Sequence, residues 1–230
     1  MSLSTAPAPT EPIIYPDSDG QPMAENTEQF QWIVLIKENL EALFGDDADV
    51  FVAGDLLWYP VERRPDIRRA PDAMVAFGRP KGRRGSYRQW EEGGIAPQVV
   101  FEVLSPGNTL HEMAAKFEFY DRYGVEEYYL YDPDSNDLSG WQRHEGRLMI
   151  IAQEELGDRI SPRLGIRFSW SIAEFKIFYP DGQPFLTLAE LKQQREAERR
   201  AREQAEQRAE RLATRLRALG IDPDALEDEE

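Results

Sequence analysis

Apolar positions recur three and four residues apart from Thr27 to Phe44, where Ile33, Ile36, Leu40, Leu43 and Phe44 share one face. That spacing predicts an amphipathic helix, with Asn26 or Thr27 as its cap and Gly45 as its end. The period then changes. Asp49 to Tyr59 reads as a strand whose apolar run is interrupted by Asp55; strict alternation sets Asp55 on a face with Phe51, Ala53 and Leu57. A second strand opens at Pro71-Asp72 and runs through Phe77, because proline tolerates a strand's first position. Val99 to Leu104, bounded by Pro97 and Pro106, is a short apolar run rich in β-branched residues and predicts a buried strand. After the turn Ser105-Pro106-Gly107-Asn108, the capping-box pattern Thr109 to Glu112 starts a helix that reaches Tyr123 and stops at Gly124. Met113 and Phe117 mark its apolar face, while Glu112, Lys116 and Tyr120 form a separate stripe at four-residue spacing.

Beyond that helix, Glu126 to Asp132 reads as a strand. Leu138 to Arg143 and Arg147 to Ala152 form a hairpin across His144-Glu145-Gly146, and Ile166 to Trp170 and Phe175 to Tyr179 add two short strand-like pieces. Strands on both sides of a crossover helix indicate an α/β fold with a mixed sheet. At Thr187 the composition shifts. A second capping box, Thr187 to Glu190, precedes a run of Glu, Arg, Gln and Ala without Gly or Pro, terminated by Gly220 and Pro223. A helix of that length spans about 45–50 Å. Its alanines, 197 to 213 at four-residue intervals, spiral round the helix instead of keeping one heptad seam. It is either a solvated single helix held by i,i+4 pairs or a coiled-coil arm; isolated polar helices are marginal, which favours a partner such as a second copy. The expected organisation is an N-terminal arm over 1–25, a core domain over 26–186, the long charged helix over 187–220 and an acidic tail over 221–230.

Composition narrows the possible chemistry. The 230 residues include no cysteine and two histidines, His111 and His144, so thiolate and multi-histidine metal sites are excluded. No apolar run reaches the roughly 20 residues of a membrane span, and the first residues lack the pattern of a signal peptide, so a soluble, cytoplasmic protein is expected. A net charge of -16 repels a phosphate backbone in general. The window from Val61 to Trp90 is the exception, with nine Arg or Lys against three acids, and it is either a solvated basic loop or a phosphate-contacting rim around Asp72. Its Gly-rich part, Gly78 to Gly94, holds Arg79, Lys81, Arg83, Arg84 and Arg88 with Tyr87 and Trp90 interleaved. These residues either contact phosphates and stack on bases, or form a solvated loop whose aromatics pin it to the core.

The carboxylate of Glu102 stands in the middle of the apolar run, and a buried charge costs several kcal/mol or more unless it is paired or bound to a metal. Glu102 therefore needs a partner. Three pieces taken in order carry a resemblance: Pro71-Asp72 ahead of one strand, Glu102-Val103-Leu104-Ser105-Pro106 on the next, and Lys116 on the helix that follows. Together with Tyr120, Gly124 to Tyr128 and Asp132-Pro133, they resemble the PD-(D/E)XK nuclease superfamily, and within it the Uma-type family named "putative restriction endonuclease", over roughly residues 27–170. The resemblance implies a restriction-endonuclease-like core and a nucleic-acid substrate, DNA in the first instance. It also implies Mg²⁺ or Mn²⁺ held by Asp72 and Glu102, with Asp55 as a further metal-side acid and Lys116 assisting the water or the phosphate. In the superfamily the lysine lies two residues after the acid, where this chain has Leu104; Lys116 would replace it from the helix. Without that role, Lys116 is an ordinary surface partner of Glu112. Glu28 and Glu41 are further acids that could serve a metal.

Two functions follow as expectations. One is metal-dependent hydrolysis of nucleic-acid phosphodiester bonds. The other is a non-enzymatic interaction or scaffold protein that keeps a nuclease-like core and works through its long helix, as a homo-oligomer.

Overall fold

The computed structural model describes residues 13–219 apart from 19 and 21. The acidic tail, the Gly220 and Pro223 terminators and the first part of the N-terminal arm lie outside the described residues. The chain divides into two units, Met1–Phe185 and Leu186–Glu230.

In the first unit, α1 (Thr27–Leu43) is capped by Asn26, whose side chain accepts a hydrogen bond from the Gln29 N–H at 2.8 Å. It buries Ile33, Ile36 and Leu40 against one face of a six-stranded sheet. The strands are β1 (Val50–Ala53), β3 (Ala73–Phe77), β5 (Val99–Val103), β6 (Glu127–Asp132), β7 (Asp137–His144) and β8 (Arg147–Ile150), adjacent in that order. All neighbours are antiparallel except β5 and β6. That parallel pair needs a crossover, and α2 (Leu110–Tyr123) supplies it on the face opposite α1. The sheet is therefore mixed α/β, as the sequence pattern predicts. A capping box starts α2, and Gly124 at φ +99° ends it in the left-handed region that favours glycine.

The run from Asp49 to Tyr59 is not one strand. Asp55 sits in the left-handed region at φ +48°, and its N–H donates to the Pro71 carbonyl at 3.0 Å. The turn leads the chain out of the sheet, so Trp58–Tyr59 becomes β2 and pairs in parallel with β4 (Tyr87–Arg88) inside the Gly-rich loop. Asp55 thus lies at a turn and not within a strand alternation. Gly54 beside it is required by close approach, since a Cβ there would stand 3.1 Å from the Asp72 carbonyl oxygen.

The buried face of α2 also differs from expectation. Phe119 and Tyr120 are its buried residues; of the two expected apolar positions, Phe117 packs on Trp141 at the edge of the core, whereas Met113 is half-exposed. The stripe that carries Lys116 and Tyr120 is the inward one. A short helix, α3 (Gln153–Leu156), and the hairpin of β9 (Arg167–Ser171) and β10 (Glu174–Phe178) complete the core on the α1 side, where Phe168, Phe175 and Ile177 pack.

The second unit is α4 (Leu188–Ala218), opened by the Thr187–Glu190 capping box. None of its residues is buried, and i,i+4 pairs such as Arg202–Glu206 at 2.9 Å lace its surface. Among the described residues, no helix is long and apolar enough to cross a membrane.

Candidate active site

Sheet register builds the site. Along β5, Val99, Phe101 and Val103 face α1 and the core there, so Val100 and Glu102 face α2. Strand β3 pairs Met74 with Val100 and Ala73 with Phe101; one more step sets Asp72 across from Glu102 on the same side. The Val103 N–H donates to Asp72 Oδ2 at 2.7 Å and holds that carboxyl at the ladder's end.

Helix α2 then delivers the partner that Glu102 requires. Glu102 is 2 % exposed. Lys116 Nζ donates to its Oε2 at 2.7 Å, and the Tyr120 hydroxyl donates to its Oε1. Glu112 closes the capping box with Thr109, so Lys116 is paired with Glu102 and not with a surface neighbour.

The electrostatics follow from crowding. Burial, reinforced by the Glu102 carboxylate, pushes the Asp72 carboxyl well above the usual carboxylate range, although Lys116 and the Val103 N–H oppose this. Burial alone would lower the Lys116 ammonium; the attraction of Glu102 and Asp72 outweighs it and raises the pKa. Tyr120 is pushed up by burial and then by Glu102, and remains a hydrogen-bond donor. The same causes raise Tyr128, whose buried hydroxyl has no hydrogen-bond partner among the described residues.

Asp72 and Lys116 open onto a cavity of about 630 Å³, with Glu102 beneath them. Asp55 lines its wall but is exposed. Among the lining residues, Arg68 and Arg69 bear out the placing of the basic window's start beside Asp72, whereas Glu25 and His111 escaped sequence reasoning as site residues. The two arginines belong to the basic window, which was a usable signal. Glu25 comes from a Pro-, Ser- and Asp-rich stretch with no periodicity; the Ser105 hydroxyl, donating at 2.6 Å, and its own N–H, donating to Gln29 Oε1 at 2.8 Å, tie it here. Glu28 and Glu41 do not line the cavity, and Glu41 pairs with Lys37.

The basic loop is occupied with itself. Arg84 and Arg79 both bind Glu92, at 2.6 and 3.2 Å, and Arg88 reaches Glu91 at 3.3 Å. Lys81 donates to the Phe44 carbonyl at 2.6 Å, and Arg83 is exposed. Tyr87 is fully buried with its hydroxyl on the Ile95 carbonyl, so it pins the loop. None of these five basic residues lines the cavity of Asp72.

Two facing carboxyl groups, whose crowding Lys116 and the Val103 N–H offset only in part, fit a divalent cation. Among the described residues, no three Asp, Glu, His or Cys gather as a metal cluster. A pair suffices for Mg²⁺ or Mn²⁺, which take oxygen ligands; Mg²⁺ in particular keeps several waters.

Residues 15–174 match the model of the Uma2 family, described as "putative restriction endonuclease". The chain belongs to the Uma2 family. Among solved structures, the chain is similar to a crystal structure described as a "putative nuclease belonging to DUF820" from Anabaena variabilis. That similarity has a TM-score of 0.44 and 13 % identity, and covers 60 % of this chain and 72 % of the other. No curated protein matches. The Uma2 match spans both acids, Lys116 and every strand of the six-stranded sheet, and it ends ahead of α4.

Proposed function

We propose that this Uma2 chain is a divalent-metal-dependent nuclease that hydrolyses phosphodiester bonds. One observation carries the reading: Asp72 just ahead of β3, Glu102 on β5 and Lys116 on α2 meet at one place, where Asp72 and Lys116 line a cavity and Glu102 lies buried against Lys116. Asp72 and Glu102 would hold Mg²⁺ or Mn²⁺, which supplies Lewis-acid polarisation of the phosphate and a water of lowered pKa. The Lys116 ammonium offsets negative charge that grows on the phosphoryl oxygens, in a partly enclosed site where such a charge acts strongly. The Tyr120 hydroxyl fixes the rotamer of Glu102, and the Val103 N–H fixes that of Asp72. The substrate class is nucleic acid, DNA first, and a soluble cytoplasmic location suits it.

Cleavage of supercoiled, linear and single-stranded DNA and of RNA with Mg²⁺ or Mn²⁺ tests the reading, with Glu102→Ala and Lys116→Ala alongside. Activity in the parent alone supports it. Metal-dependent cleavage undiminished in Glu102→Ala sinks the assigned site.

A second reading has its own observation. Both oxygens of Glu102 already have protein donors, and α4 presents 31 residues without a buried one. Those facts suit a non-enzymatic scaffold that self-associates through α4. Absent metal binding by calorimetry, absent cleavage and an oligomer lost on deletion from Thr187 would together favour it.

A further inference from the structure

Arg68 and Arg69 stand on the wall shared by two adjoining cavities. The first is the cavity of the acid pair, where five carboxylates face three fixed cations. The second, about 360 Å³, reverses the balance, with four arginines against two carboxylates. Charge therefore changes sign across the two arginines, from a cation-seeking pocket to an anion-seeking groove.

Neither Arg68 nor Arg69 forms an ion pair among the described residues, unlike Arg79, Arg84 and Arg88 of the Gly-rich loop. Each is nonetheless fixed in place. Arg68 Nη1 donates to the Pro65 carbonyl at 3.0 Å, and Arg69 Nη1 to the Arg68 carbonyl at 2.9 Å. The backbone of Arg69 is bonded both ways to Trp58, at 2.7 and 3.2 Å, and its guanidinium lies 5.7 Å from the Phe119 ring centroid. A guanidinium has five N–H donors; each arginine's carbonyl bond uses one, and Arg68 also meets the Tyr59 hydroxyl, so most donors stay available. Planar, preorganised and unpaired guanidinium groups match phosphate oxygens. Arg64 and Arg122 farther along the groove are bound only to exposed acids, Asp66 and Glu118, and exposed pairs of this kind exchange at little cost.

We propose that this groove, between the 61–69 segment and α2, carries the phosphodiester backbone of a nucleic-acid strand to the acid pair, with Arg68 and Arg69 each binding a phosphate. The inference rests on the nuclease reading for the chemistry at Asp72 and Glu102, and adds the path by which substrate arrives. It also resolves how a chain of net charge -16 binds a polyanion, because the favourable field is confined to one groove.

The test is fluorescence anisotropy of the full chain with a labelled single-stranded oligodeoxynucleotide, its duplex and the matching RNA, in Ca²⁺ over a series of salt concentrations. Arg68→Ala/Arg69→Ala is expected to weaken binding roughly tenfold or more and to reduce the salt slope by about 1.4 to 1.8, two contacts at about 0.7–0.9 each. Arg68→Lys/Arg69→Lys is expected to restore most of the slope, because the charges return. Arg83→Ala/Arg88→Ala is expected to leave both quantities unchanged. Should the double alanine variant unfold by circular dichroism, Arg68→Gln and Arg69→Gln singly are each expected to reduce the slope by about 0.7–0.9. Unchanged affinity and slope on loss of the two arginines would overturn the proposal, as would failure of the parent to bind any of the three probes. Arginine-dependent binding without metal-dependent cleavage would leave the groove standing and remove the nuclease reading.

Discussion

Lys116 Nζ lies 2.7 Å from Glu102 Oε2, although the lysine is on a helix and the acid is inside a strand fourteen residues earlier. Two residues after Glu102 on the same strand side stands Leu104, so the cation reaches the acid from the helix instead. Lys116 is partly exposed and Glu102 almost fully buried, so the acid depends on the lysine more than the reverse. Removing Lys116 leaves a buried carboxylate with only a tyrosine donor. Lys116→Met is expected to cost on the order of 3 kcal/mol by urea unfolding. The double variant with Glu102→Gln should recover most of that stability and none of the cleavage, and a double-mutant cycle measures the coupling.

Two tyrosines on the same face should respond oppositely to loss of their hydroxyls. Tyr120→Phe removes a donor to the buried Glu102 and is expected to destabilise by about 1.5–3 kcal/mol. Tyr128→Phe keeps the ring stacked on Trp141 at 5.0 Å and deletes a buried hydroxyl that has no hydrogen-bond partner among the described residues. It is expected to stabilise by about 1 kcal/mol. Thermal unfolding of the two variants side by side checks both signs.

The raised Asp72 pKa sets a pH dependence. An acid raised on folding contributes stability that is fully present below its ordinary value of 3.8 and is lost as pH rises through the folded value. Asp72→Asn is therefore expected to be more stable than the parent at neutral pH, with the gain vanishing towards pH 3.8. A divalent cation held as proposed would displace the same proton. Mg²⁺ affinity should rise with pH across the Asp72 titration, and calorimetry in buffers of different ionisation enthalpy should show proton release on binding.

Removal of α4 should leave the first unit folded. All of the clustered core lies between residues 33 and 185, and α4 buries none of its own side chains. A chain ending at Leu186 is expected to unfold cooperatively with a midpoint within a few degrees of the parent, a shift that corresponds to about 1 kcal/mol or less. Sedimentation of the two forms shows whether α4 holds copies together.

Particular residues show why some of this was legible in the sequence and some was not. Glu102 announced itself because one charge within five apolar neighbours conflicts with burial, and that conflict is local. Lys116 could be placed because helix periodicity carries it to the same side as Tyr120. The turn at Asp55 that splits the run from Asp49 to Tyr59 was missed because a non-glycine residue at positive φ leaves little trace in composition. Strand β4 was hidden in a loop because its partner, β2, is reached through long-range pairing. Glu127 was missed as a second buried acid: its partners Ser161 and the Arg163 N–H lie more than thirty residues away, and the three donors it accepts, with Tyr129, make it a structural clasp. The basic window was legible as charge. Its division into braced and unpaired arginines was not, because that depends on where Glu91 and Glu92 fall.

The antiparallel register of β3 against β5 carries one more consequence. Side chains alternate between faces, so a slip of one residue would turn Asp72 away from α2 while Glu102 stayed where it is. It would also drive the apolar residues of β3 to the wrong layers. A misassembled sheet therefore cannot hold Asp72 opposite Glu102, and the facing of these two acids amounts to an inspection stamp on the strand alignment.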